Sequence, residues 1–218
     1  MTMSLETYHH AEHRAAPGAP LLFVFHGTGG DERQFFTLGR QMLPSAHLVS
    51  PRGDVAEMGA ARFFRRQAEG RYDMSDLARA TAKMADFVAA KIEEYAPSRV
   101  IGLGYSNGAN ILSTTLFDNP GLFDAAVLMH PLIPFEPVPT GTMEGVDVLI
   151  TAGRQDPICP PALTERLASF FTAQGAAVEM VWHPGGHEIR DGELDAASLF
   201  LAGAAGLALE APIAGANA

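Results

Sequence analysis

Val100-Ile101-Gly102-Leu103-Gly104-Tyr105-Ser106-Asn107-Gly108 is the stretch on which the reading of this chain turns. Its first four residues are apolar without alternation, as in a strand covered on both faces of a parallel sheet. Gly104 to Gly108 then spells G-x-S-x-G, and a helix follows that fades at Asp118-Asn119-Pro120. A serine between strand and helix sits on a tight, strained turn, so the residues two places either side have to be small. Gly104 and Gly108 meet that demand. The turn holds the Ser106 hydroxyl out above the sheet, and the helix N-terminus beneath it favours developing negative charge.

Further strands read outward from this one. Leu21-Leu22-Phe23-Val24-Phe25 is another unbroken apolar run, ended by His26-Gly27-Thr28-Gly29-Gly30. His47–Ser50, Ala125–Met129, Val146–Thr151 and Val178–Trp182 complete the set. Helices are expected over Glu32–Met42, capped by Asp31, and over Asp73–Tyr95, where Leu77, Ala80, Met84, Phe87, Val88 and Ile92 make one apolar face. Two more run from Pro161 to Gln174 and from Gly192 to Leu209. Residues 54–72 have no clear period and read as a long surface excursion. Strand and helix alternate, which predicts a mostly parallel sheet with helices on both faces. One α/β domain is expected, its core over about residues 20–207, with about 15 N-terminal and nine C-terminal residues peripheral. The loop Pro131-Leu132-Ile133-Pro134-Phe135-Glu136-Pro137-Val138-Pro139 is too short to form a cap domain.

Composition excludes several classes. The 218 residues are 47% hydrophobic, enough to bury a core, so the chain is not a disordered protein. A net charge of −10 argues against a broad grip on nucleic acid or anionic lipid. The single cysteine, Cys159, allows no intrachain disulfide and no thiolate metal cluster. No run reaches the roughly 18 apolar residues of a membrane span, and the polar N-terminus does not read as a secretory signal. A cytoplasmic protein without stable membrane insertion, as a monomer or homodimer, is the expectation.

A serine hydroxyl needs a positioned base to become a nucleophile, and its partners should lie on loops after later strands. Asp156 follows the fifth strand in Ala152-Gly153-Arg154-Gln155-Asp156-Pro157, and His187 follows the sixth in His183-Pro184-Gly185-Gly186-His187-Glu188. The order Ser, Asp, His is that of α/β-hydrolases and differs from chymotrypsin and subtilisin. Asp124 and Asp147 precede their strands, at the wrong end of the sheet; His183 directly abuts its strand and is the nearest rival of His187. An oxyanion would be met by the Asn107 amide and by an amide of the His26–Gly30 loop, with Thr28 the choice.

Together His26-Gly27-Thr28-Gly29-Gly30-Asp31, Gly104-Tyr105-Ser106-Asn107-Gly108, Ala152-Gly153-Arg154-Gln155-Asp156-Pro157 and Gly186-His187 resemble the phospholipase/carboxylesterase family of small α/β-hydrolases, in its bacterial carboxylesterase branch. The resemblance covers about residues 20–205. It implies a compact hydrolase without a large cap, acting on esters or thioesters with no cofactor and no metal. It also implies Ser106, Asp156 and His187 as the catalytic triad, with Thr28 and Asn107 as oxyanion donors. Pro51-Arg52-Gly53 to Phe63-Phe64-Arg65-Arg66 looks like that branch's loop over the active site. Dienelactone hydrolase usually has cysteine where Ser106 stands, and a dehalogenase needs aspartate there.

Other residues carry blander expectations. His26 is read as structural, bonding backbone to hold its loop, and His130 as pocket wall or satisfied buried histidine. His9, His10 and His13 are expected to be solvated near a mobile end. Cys159 is expected to be a small buried hydrophobe. Arg62, Arg65, Arg66 and Arg71 should be partly solvated and paired with Glu57, Glu69 and Asp73, while Phe63 and Phe64 cover the pocket mouth. Leu132, Ile133 and Ile158 are the other candidate pocket residues. The expected activity is hydrolysis of a small short- to medium-chain or aryl ester through an acyl-enzyme. A thioesterase or (lyso)phospholipase is the alternative, and a non-catalytic binding protein of the same fold a further one. Activity that depends on a neutral histidine should fall below roughly pH 6–7.

Overall fold

Leu21–Phe25 is strand β2 of the computed structural model, which describes residues 8–207, and all five of its side chains are buried. Successive residues point to opposite faces. Leu21, Phe23 and Phe25 pack on one side of the sheet and Leu22 and Val24 on the other, each within its own hydrophobic cluster. The same two-sided burial marks β3 (His47–Pro51), β8 (Val100–Tyr105), β9 (Ala125–Met129) and β10 (Asp147–Gly153). With β1 (His10–His13) and β11 (Ala177–His183) they form one seven-stranded sheet in the order β1-β3-β2-β8-β9-β10-β11. Every pairing is parallel except β1 on β3.

Helices α2 (Met74–Tyr95), α3 (Asn107–Asp118) and α4 (Pro161–Ala173) cover the Phe23 face, and α1 (Phe36–Met42) and α5 (Asp191–Ala204) the opposite one. In α2 the expected stripe is buried, and Asp73 caps the helix by accepting the Ser75 and Asp76 amides. Register places the site. Tyr105 lies opposite Met129, Met129 opposite Thr151, and Gly153 opposite His183, so β8 to β11 deliver their following loops to one edge of the sheet.

Five expectations are corrected. The helix expected from Glu32 starts at Phe36; Asp31 instead accepts the Arg33 amide in a turn, and the buried Glu32 pairs with Arg52 at 2.6 Å. The N-terminal margin is not peripheral from Tyr8 onward, because His10–His13 pairs with β3 and Tyr8 is buried against Phe87. His9 is exposed, but His10 and His13 are half-buried in that strand, His10 edge-on to Phe87. Strand pairing is non-local, and His-Ala-Glu-His has no apolar alternation to announce it. Residues 54–72 are not an open excursion: β4 (Val55–Glu57) pairs with β5 (Ala60–Arg62), and β6 (Arg66–Ala68) with β7 (Arg71–Tyr72). Between these hairpins Phe63 and Phe64 are both 0% exposed.

Helix α5 ends at Ala204, short of the expected Leu209; the tail from Glu210 lies outside the described residues, as do residues 1–7. Among the described residues no helix is long and apolar enough to cross a membrane.

Candidate active site

Ser106 stands between β8 and α3 with φ 52° and ψ −115°, a strained conformation for a residue with a side chain. The small neighbours are required by contact distance. A Cβ on Gly104 would lie 2.6 Å from the Gly108 carbonyl, and one on Gly108 would lie 2.3 Å from that of Phe25. The turn is anchored from the sheet, the Ser106 amide donating to the Met129 carbonyl at 2.9 Å.

The structure brings Ser106, His187 and Asp156 together. His187 Nε2 lies 3.0 Å from Ser106 Oγ, and His187 Nδ1 lies 2.7 Å from Asp156 Oδ2. With the Nδ1 proton on the carboxylate, the Nε2 lone pair faces the serine hydroxyl. Asp156 is buried, and Oδ1 accepts the Ile158 amide at 2.8 Å and the Cys159 amide at 2.9 Å. Burial alone would raise this carboxyl; the Cys159 amide, His130, His187 and the Ile158 amide outweigh it and hold the group below its ordinary value. The Asp156 and His187 loops are stitched together, the Gln155 amide donating to the Gly185 carbonyl at 2.9 Å. Tyr105 donates its hydroxyl to the His187 carbonyl at 2.8 Å.

Thr28 and Asn107 flank Ser106 on the wall of a cavity of about 260 Å³. Asn107 opens α3, where amides lack intrahelical acceptors. Its side chain accepts the Phe63 amide at 2.8 Å. His26 holds the Thr28 loop as a structural histidine: Nδ1 is on the Gly27 carbonyl at 2.7 Å, and Nε2 accepts the Gly53 amide at 2.9 Å.

Leu132 and Ile158 line the cavity, as does the buried Cys159. Phe63, Phe64 and Ile133 do not, which corrects the expected pocket. Phe63 packs on Phe25 and Tyr8, and Phe64 on Tyr72; burial of a large ring outweighs leaving it at a wet mouth. Of the arginines, Arg62 is buried rather than partly solvated. It pairs with Glu57 and donates to Thr28 Oγ1 at 2.7 Å. Arg66 pairs with Glu57 and Glu69 as expected, whereas Arg65 reaches Asp76, since Asp73 is spent on its cap.

The rival histidine and aspartates are elsewhere. His183 faces Glu193 at 3.2 Å, Asp124 accepts the Val100 amide, and Asp147 begins β10. His130 proves to be bonded to Asp156, and Glu193 behind it was not singled out from the sequence at all. No motif marks Glu193; its only local signal is its place in the first turn of α5. His130, Asp156 and His187 have their ligand-type atoms within 4.8 Å of one another, but Asp156 Oδ2 is already taken by the two rings.

Known proteins resemble this chain in sequence and in fold. Residues 59–188 match the dienelactone hydrolase family. The chain is 39% identical over 179 residues to the hydrolase MhqD of Bacillus subtilis, covering 81% of this chain and 90% of that one. A Bacillus cereus carboxylesterase superposes with a TM-score of 0.87 at 35% identity, over 91% of this chain and 95% of the other. An Agrobacterium tumefaciens protein of unknown function superposes with a TM-score of 0.89 at 59% identity, over 92% and 98%. The esterase neighbour accords with the resemblance drawn from the motifs. The chain belongs to the dienelactone hydrolase family and is a hydrolase of the α/β-hydrolase fold.

Proposed function

We propose that this chain is a serine carboxylesterase that hydrolyses small short- to medium-chain or aryl esters through an acyl-enzyme. The observation that carries the reading is the continuous path Ser106 Oγ, His187 Nε2, His187 Nδ1, Asp156 Oδ2, with contacts of 3.0 and 2.7 Å. In the first step His187 takes the Ser106 proton while Oγ attacks the ester carbonyl. Asp156 stabilises the imidazolium, and the Thr28 and Asn107 amides receive the oxyanion. The imidazolium then protonates the departing alkoxide. Water enters by the same route, giving one proton to His187 and its hydroxyl to the acyl carbon, and the imidazolium returns that proton to Ser106 Oγ as the carboxylic acid departs. No cofactor is needed for this sequence.

A cavity of about 260 Å³ suits small acyl and alcohol groups better than long chains. The lone cysteine suits a reducing, cytoplasmic setting. The test is a chain-length series of matched oxygen and sulfur esters, with fluorophosphonate labelling of Ser106. Preference for short oxygen esters with labelling supports the reading. Preference for thioesters or long acyl chains turns it to the alternative, and no labelling refutes it.

A further inference from the structure

Asp156 serves two histidines. Its Oδ2 takes His187 Nδ1 at 2.7 Å and also faces His130 Nδ1 at 3.0 Å. The other ring nitrogen of His130, Nε2, lies 3.1 Å from Glu193 Oε1, as an ion-pair contact off the ideal N–H direction. The side chains of His130, Asp156 and Glu193 are entirely buried. His130 itself directly follows β9 with φ 51°, in the left-handed region, its amide on the Thr151 carbonyl at 2.8 Å. Strain of this kind persists where the surroundings over-determine a residue.

A neutral imidazole has one N–H and one lone pair, so between two carboxylates the lone pair would face an anion. Both carboxylates have other donors that favour ionisation. Asp156 Oδ1 accepts two amides, while Glu193 Oε1 accepts the Thr151 hydroxyl at 2.6 Å and Oε2 the Arg190 amide at 2.7 Å. His130 is then satisfied only with both nitrogens protonated. Among the described residues no Lys or Arg side chain pairs with Asp156 or Glu193. His183 Nδ1 accepts the Gly185 amide at 3.0 Å, so that nitrogen holds a lone pair, while Nε2 lies 3.2 Å from Glu193 Oε2 without hydrogen-bond geometry. Tyr105, edge-on to the ring, is pushed up to about 12 by burial; Cys159, whose thiol donates to the His130 carbonyl, is also raised by burial. Both stay neutral.

We propose that His130 is a positioning residue of the triad: a buried imidazolium clamped between Asp156 and Glu193 that holds Asp156 on His187 and offsets its negative charge. The proposal rests on the esterase reading above and deepens it. With His187 neutral, Asp156, Glu193 and His130 together carry −1. Transfer of the Ser106 proton to His187 Nε2 brings the cluster to zero, and no proton enters or leaves His130. The two rings are 5.1 Å apart, so the His130 charge disfavours a second imidazolium in the resting enzyme. Without it the two carboxylates would act on a proton at His187 uncompensated.

The test is kcat/KM against pH, on a short aryl acetate, for wild type, His130→Gln and the double variant His130→Gln/Glu193→Gln. In His130→Gln the acid limb should move up by about one pH unit, costing roughly tenfold at acidic pH beyond any loss on the plateau. The double variant, which also removes the uncompensated Glu193 charge, should move it back. A lower plateau with an unmoved acid limb overturns the proposal, and so does a double variant no nearer to wild type than the single one. Should the variants fail to fold, ¹⁵N-histidine NMR of the unaltered protein decides. Both His130 nitrogens should stay protonated from about pH 5 to 8; a neutral tautomer at about pH 8 refutes it. That readout needs no turnover. A failed esterase reading would show separately, as undiminished hydrolysis by Ser106→Ala.

Discussion

Arg62 Nη1 donates to Thr28 Oγ1 at 2.7 Å, tying the β4–β5 hairpin to the loop whose Thr28 amide we propose as an oxyanion donor. The guanidinium is buried at 3% exposure and also reaches the Phe64 carbonyl and Glu57, at 3.2 and 3.3 Å. A second tie runs from the Gly29 amide to the Ala61 carbonyl at 2.9 Å. Oxyanion donors work because they are fixed before charge develops. Arg62→Met keeps most of the stem and removes the charged hydrogen bond, which is worth about 1.5–3 kcal/mol. Steady-state kinetics should show kcat reduced about tenfold to hundredfold with a smaller change in KM. An unchanged kcat would separate the hairpin from the oxyanion loop.

Ser106→Ala should lower kcat by about 10⁶-fold, because base and orienting carboxylate have nothing left to activate. Circular dichroism and melting should match wild type, since the hydroxyl lies at the cavity wall. A variant retaining a tenth of the activity would remove Ser106 from the chemistry.

The Glu193 carboxyl would be raised by burial, but His130, the Thr151 hydroxyl and the Arg190 amide together hold it below its ordinary value. A carboxyl lowered in the folded state lends stability that is complete above its unfolded value of about 4–5 and lost as pH falls through the folded one. Glu193→Gln should therefore melt well below wild type at neutral pH, and the gap in Tm should narrow as the melts are taken into strong acid. A gap independent of pH would mean that the charge contributes nothing.

Phe64 packs edge-on to Tyr72 with its ring centroid 4.8 Å away and has no exposed surface. Phe64→Ala should cost about 3–5 kcal/mol in denaturant unfolding, as truncations of buried aromatic rings do. Because Phe64 does not line the cavity, preference among short esters should hold in the folded fraction. A shift in chain-length preference without loss of stability would return Phe64 to the pocket mouth.

Glycines at 104 and 108, an unbroken apolar run before them, and Asp156 and His187 after later strands were all readable in one dimension. Each is a local pattern: period, turn chemistry, or order along the chain. The parallel sheet follows from the alternation of such patterns, and so does the edge to which Ser106, Asp156 and His187 are delivered. The 54–72 segment carries no period, so Phe63 and Phe64 looked like a rim although they are core.

Thus the amino-acid sequence by itself determined the α/β architecture and the three loops that approach Ser106, because helices, buried strands and the serine turn are dictated by neighbours in the chain. Tertiary structure alone decided that β1 closes the sheet, that Arg62 turns inward to Thr28, and that His130 joins Asp156 to Glu193. Those contacts pair residues far apart in the chain, and no local periodicity encodes which buried polar groups will satisfy one another.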